Sequence, residues 1–144
     1  MVFFIVAIIL VVDQLTKVLV TRALTLHQSV PLLNNIFHLT LVYNTGAAFG
    51  LFKNQILLFI ATSLCAIILV SYNLKKTTLR LPSVSLALIL AGALGNLIDR
   101  LRFGFVIDFL DFRVWPVFNV ADSAITIGAI LLGWFLLRNN NSKH

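Results

Sequence analysis

The chain has 144 residues, of which 60% are hydrophobic and 11% charged. Soluble domains average roughly 45–50% apolar and about 25% charged residues, and a chain this short buries only about two-thirds of the surface its unfolded form exposes. An ordinary soluble enzyme, a disordered chain and a secreted disulfide scaffold are thereby excluded, and the composition points to one integral membrane domain over residues 1–144. Eleven Lys and Arg stand against five acids, a formal net charge of +6. The basic residues are scattered among apolar runs, so retention at a membrane explains them and no nucleic acid is expected as a partner. All five acids are aspartates (Asp13, Asp99, Asp108, Asp111 and Asp122), and the chain has no Glu.

Four apolar stretches, near 2–20, 56–72, 84–98 and 120–137, approach the length of about 20 helical residues that crosses a bilayer. The second and third are short and should extend into flanking residues. The fold class expected is therefore an all-α membrane protein, a four-transmembrane-helix bundle. The first stretch has almost no basic region before it and no small-residue cleavage site, so it reads as a retained helix rather than a cleaved signal peptide. An even number of spans puts both termini on one side. Lys75, Lys76 and Arg80 crowd the short loop around 73–82, and Arg138 and Lys143 mark the tail. The positive-inside rule places these in the cytoplasm. The opposite segments, 21–55 and 99–119, hold Arg22, Lys53, Arg100, Arg102 and Arg113, so the two sides differ only in charge density.

The outer segments must hold the irregular structure. Residues 36–43 are β-branched and aromatic and read as a short strand. A strand cannot expose its edges to lipid, so it belongs in a small β-containing segment at the membrane interface. Asn44-Thr45-Gly46 after it is a turn signal. The last residues, from Asn139 to His144, read as a polar tail.

Ionisable residues in or beside spans are costly and are functional candidates by default. Asp13 and Lys17 stand at i, i+4 on one helix face, a self-neutralising pair. Asp99 sits near a helix C-terminus, where the dipole opposes it. It needs Arg100, Lys17 or a backbone donor. Ala87, Ala91 and Gly95 recur every four residues, a small face suited to close packing, and Asn96 should be buried against a neighbour. Asn119 and Asp122 have the spacing of an N-cap and an N3 residue. Asp122, Thr126, Ala129 and Gly133 share a face expected to point into the bundle. Asp108 lies between bulky apolar residues, whereas Asp111 reads as a solvated loop acid. One short loop separates Asp108 from Asp122, so the two can meet.

Nucleophilic Ser or Cys catalysis has little support: Cys65 lies inside an apolar run, and the histidines are His27, His38 and the terminal His144. There is no HExxH and no Glu for a zinc protease, and no metal or other cofactor is expected. Two close carboxylates sharing one proton suffice for peptide hydrolysis. The ionised one activates water and the protonated one assists the carbonyl and the leaving amine. Two rivals remain. A four-span transporter would spread Asp13, Asp99 and Asp122 along a pore. An assembly factor would use its buried polar pairs only for cohesion. Four of the five acids fall at or beyond a span end, which favours the enzyme.

Five segments in order resemble lipoprotein signal peptidase, the bacterial signal peptidase II. They are Asp13-Gln14-x-x-Lys17, Asn44-Thr45-Gly46-Ala47-Ala48-Phe49-Gly50, Gly95-Asn96-Leu97-Ile98-Asp99-Arg100, Val106-Ile107-Asp108-Phe109 and Phe118-Asn119-Val120-Ala121-Asp122. Ala91 stands where that family often has a second glycine. The resemblance implies an aspartyl endopeptidase of the bacterial inner membrane that removes the signal peptide from prolipoproteins before their diacylglyceryl-modified cysteine. It implies Asp108 and Asp122 as the catalytic dyad. Asn44, Gly46, Asn96, Asp99, Arg100 and Asn119 would support the site or the substrate, with Asp13 and Lys17 in a more structural role. The expected partners are the lipidated precursor and membrane lipids, with a monomeric enzyme. The site is expected near the outer face, and segment 21–55 is expected to cradle the substrate on the membrane.

Overall fold

The computed structural model describes residues 1–46 and 55–141, and side chains through Asn139. Ala47-Ala48-Phe49-Gly50, Lys53, Lys143 and His144 lie outside the described residues. Among the described residues four helices are long and apolar enough to cross a membrane. They are α1 (Val2–Ala23), α2 (Ile56–Lys76), α3 (Arg80–Phe103) and α4 (Val120–Asn141). In lipid the backbone must satisfy its own hydrogen bonds, which is why these apolar runs become continuous helices. As expected, the second and third outgrow their apolar stretches. The basic 73–82 segment is mostly helical, with only residues 77–79 between α2 and α3. The supposed polar tail is helical through Asn141, because nothing before it breaks the helix.

Helix α3 is the hub, packed against α1, α2 and α4. Ala87 and Ala91 are fully buried on it. A Cβ on Gly92 would collide with the Ala121 carbonyl oxygen, and one on Gly95 would lie 2.6 Å from Asp13 Oδ2. The small face thus brings α1 and α4 close to α3. The expected inward face of α4 is corrected. Thr126 and Ala129 are exposed, and a Cβ on Gly133 would meet nothing within 4 Å. The packed stripe is Ala121, Ala124 and Gly128, all buried. Gly128 sits against the Ser85 carbonyl. Backbone proximity, rather than polarity, chose the face.

Among the described residues three strands cap one end of the bundle: β1 (Ser29–Leu33), β2 (Phe37–Asn44) and β3 (Val106–Asp111). The sheet is antiparallel with β2 in the middle. The predicted strand 36–43 is β2; its two neighbours were not foreseen. Asn35 turns β1 into β2 at φ 61°, a left-handed conformation that asparagine tolerates. Leu41, Ile107 and Phe109 bury beneath the sheet against Val20 of α1. That contact seats the sheet on the helix end.

Candidate active site

Two short connections bring the acids together. Gly104, at φ 81°, ends α3 and caps it through a bond to the Arg100 carbonyl, so β3 starts at once and carries Asp108. After β3 the chain loops out through Val114, which is 92% exposed. It returns at Phe118, whose backbone exchanges hydrogen bonds with Leu110 at 2.8 and 3.0 Å. That bridge sets Asn119 and the first turn of α4 beside β3. Asn119 and Asp122 then cap the helix reciprocally: Asp122 N–H donates to Asn119 Oδ1 at 2.8 Å, and Asn119 N–H donates to Asp122 Oδ2 at 3.3 Å. The sequence spacing foretold this capping box.

Asp108 and Asp122 line one cavity of about 250 Å³, together with Asn44, Gly46, Asn96 and Arg100. Their partners are neutral amides. Asn44 Nδ2 donates to Asp108 Oδ2 at 2.9 Å, and Asn119 Nδ2 donates to Asp108 Oδ1 at 2.7 Å. Asn96 Nδ2 donates to Asp122 Oδ1 at 2.8 Å. Asn44 reaches its target because it lies two residues along β2 from Val42, the cross-strand partner of Asp108, hence on the same face. Its Oδ1 accepts the Gly46 N–H at 3.0 Å, which fixes the amide orientation. Burial pushes the Asp108 carboxyl up to about 7, and the nearby Asp122 charge adds to the shift, against the lowering effect of Asn44 and Asn119.

Behind the cavity lies a second cluster. Lys17 Nζ donates to Asp13 Oδ2 at 2.9 Å, Asp99 Oδ2 at 2.8 Å and Asn96 Oδ1 at 3.3 Å. All three ammonium protons are thereby used. Asp99 takes Lys17 and the Ile107 N–H (3.1 Å) rather than Arg100. Asp13 Oδ1 accepts the Ala121 N–H at 2.9 Å. Ile107 precedes Asp108 and Ala121 precedes Asp122, so each rear carboxylate grips the backbone immediately before a front one. Arg100 instead turns toward α2, with its guanidinium 5.2 Å from the Phe59 ring centroid and 3.5 Å from Ser63 Oγ.

Asp111 is a correction. It is a strand residue only 5% exposed. Thr40 Oγ1 donates to it at 2.7 Å, and Arg113 donates through its backbone N–H at 2.8 Å and its guanidinium at 3.2 Å. Burial alone would raise its carboxyl, but these bonds together hold it below its usual value. The sheet, not foreseen for this segment, buried it. Sequence reasoning also left Gln14 without a role. Its Nε2 lies 3.1 Å from Asp13 Oδ2 and 3.0 Å from Asp99 Oδ1. A polar amide in an apolar run, beside the Asp13 and Lys17 pair, was the signal.

Fold and site together define a polytopic membrane protein with paired carboxylates in a cavity at one end of its bundle. A family profile described as Signal peptidase (SPase) II matches residues 5–138. The chain belongs to that family. It is 47% identical over 137 residues to a lipoprotein signal peptidase of Halothermothrix orenii, covering 94% of each chain. It is 50% identical over 131 residues to one of Moorella thermoacetica, covering 90% of this chain and 87% of the relative. A bacterial membrane enzyme solved by the in meso method at 2.3 Å resolution superposes with a TM-score of 0.95 at 31% identity, covering 99% of this chain and 91% of that one.

Proposed function

We propose that Asp108 and Asp122 are the catalytic dyad of an aspartic endopeptidase that removes the signal peptide from prolipoproteins. The single observation that carries the dyad is the shared cavity in which both carboxylates are held by neutral asparagine amides, with the buried Lys17 spent on Asp13 and Asp99. A direct cation would fix both acids as carboxylates. Amides allow the pair to keep one proton between them. The ionised member takes a proton from the attacking water. The protonated member hydrogen-bonds the scissile carbonyl and then protonates the leaving amine. Arg100, on the cavity wall, is placed to bind a substrate carbonyl.

The substrate is a precursor whose cysteine carries a diacylglyceryl group, so that it reaches the enzyme within the bilayer. In this reading the sheet end faces outward, and both termini and the α2–α3 turn face the cytoplasm. The described part of segment 21–55 lies on the membrane as a cradle, and the enzyme works as a monomer. Exposed apolar side chains on the hairpin, among them Leu32, Leu33 and Ile36, support contact with lipid there. The test is cleavage of a lipidated prolipoprotein by purified protein. Asp108→Asn and Asp122→Asn should each lower the rate roughly 10²–10⁴-fold, and an unlipidated precursor should be cleaved poorly. Full activity in either variant would remove that residue from the dyad.

A further inference from the structure

The end of the bundle remote from the sheet has a cavity of its own. About 580 Å³ lies between α2, α3 and α4. Its walls are apolar, formed by Val70, Leu86, Ile89, Leu132 and Phe135, and its mouth carries Asn73, Lys76 and Thr77. The proposed reaction uses none of these residues.

Charge is divided between the two ends. All five acids lie in the half of the bundle capped by the sheet. Lys75 and Lys76 occupy the last turn of α2, Arg80 opens α3 and Arg138 lies in the last turn of α4. No aspartate lies within fifteen residues of Lys75, Lys76 or Arg80 along the chain. The Lys76 ammonium rests 4.1 Å from the Tyr72 ring centroid, against an aromatic face rather than a carboxylate.

We infer that this cleft binds an acyl chain of an anionic phospholipid, with its phosphate drawn to Lys76 at the mouth and to Lys75 and Arg80 at the adjoining helix ends. An apolar cleft of this size offers water too few partners to hold it, and inside a bilayer the filler at hand is hydrocarbon. The cations decide which lipid. Anionic headgroups are drawn to basic clusters at a helix end, whereas a zwitterionic headgroup brings its own positive charge. Other occupants fail on the same ground. A signal peptide carries a basic leading region and would meet like charge, as would the same end of a second copy. The consequence is mechanical. No described residue of α2 is fully buried, and the helix packs on α3. A chain in the cleft ties α2 to α4 and steadies Phe59 and Ser63 beside Arg100.

The experiment is native mass spectrometry of the delipidated full chain, given dioleoyl phosphatidylglycerol or dioleoyl phosphatidylcholine at equal concentration. The phosphatidylglycerol adduct should be favoured roughly tenfold. The triple variant Lys75→Gln, Lys76→Gln, Arg80→Gln should bind the two lipids about equally. Val70→Trp, which fills the cleft from α2, should weaken both adducts. Leu132→Trp does the same from α4 and serves if the first variant does not fold by circular dichroism. Equal binding by the wild type overturns the inference. So does a preference that survives the triple substitution, or undiminished binding in a folded Trp variant. A dimer mass in place of the lipid adduct would assign the cleft to a second copy. Release of bound phosphatidylglycerol by a signal-sequence peptide would assign it to the substrate. Either result contradicts the lipid site.

Discussion

Two pairs of aspartates lie side by side in this protein and are treated in opposite ways. Asp13 and Asp99 share the ammonium of Lys17 and spend their remaining oxygens on backbone N–H groups of Ala121 and Ile107. Asp108 and Asp122 line an open cavity and, among the described residues, receive amide and backbone donors. In the proposed mechanism the same side chain is a structural anchor where a lysine sits on it and a reactive group where amides hold it. Asn96 joins the pairs: its Oδ1 accepts from Lys17 and its Nδ2 donates to Asp122.

The comparison breaks most visibly at Lys17. Lys17→Met would leave two buried carboxylates without their counter-charge, a loss of about 3–5 kcal/mol. Thermal melting in detergent should show it as a lowered midpoint, and an unchanged midpoint would deny the rear pair its anchoring role. Asn119→Ala should come next. It removes the donor to Asp108 Oδ1 and the cap on the Asp122 N–H. A cleavage rate down roughly 10²-fold, with the protein still folded by circular dichroism, is the expected outcome.

The third effect is on pH. Asp108 in the fold titrates near 7 against an ordinary 3.8. Between those values the unfolded chain has released this proton and the folded chain still holds it, so this group's contribution to stability falls as pH rises from about 4 to about 7. Melting curves of Asp108→Asn should lack that part of the pH dependence. The rate of cleavage by the wild type should decline on the alkaline side, as the shared proton is lost. The smallest effect is none at all: a strong chelator should leave cleavage unchanged, and a loss restored by one divalent cation would replace the two-carboxylate mechanism with a metal-assisted one.

Much of this was legible in the sequence because charge is scarce there. With five acids in 144 residues, each one inside or beside an apolar run had to have a reason. Helical spacing gave the Asp13 and Lys17 pair and the cap formed by Asn119 and Asp122. The sheet was harder to read. Residues 106–111 carry no clear alternation, and their strand depends on pairing with β2, far away in the chain. Asp111 was misread for that reason, since local polarity suggested solvent while the distant Thr40 supplied a half-buried partner. The inward face of α4 was misjudged because polarity drew attention to Thr126. The packing is decided by how closely Gly128 lets α4 approach the α3 backbone, a property of small residues that a polar stripe can mask.

The division of labour between the two pairs is tested most directly in one preparation. Asp108→Asn, Asp122→Asn and Asp13→Asn would be purified alongside wild type, each melted, and each assayed on the same lipidated prolipoprotein. The two front variants should be folded and inactive, with midpoints at or above wild type near pH 8 for Asp108→Asn. The rear variant should melt lower. Front variants that cleave at the wild-type rate would contradict the assignment of the reactive pair.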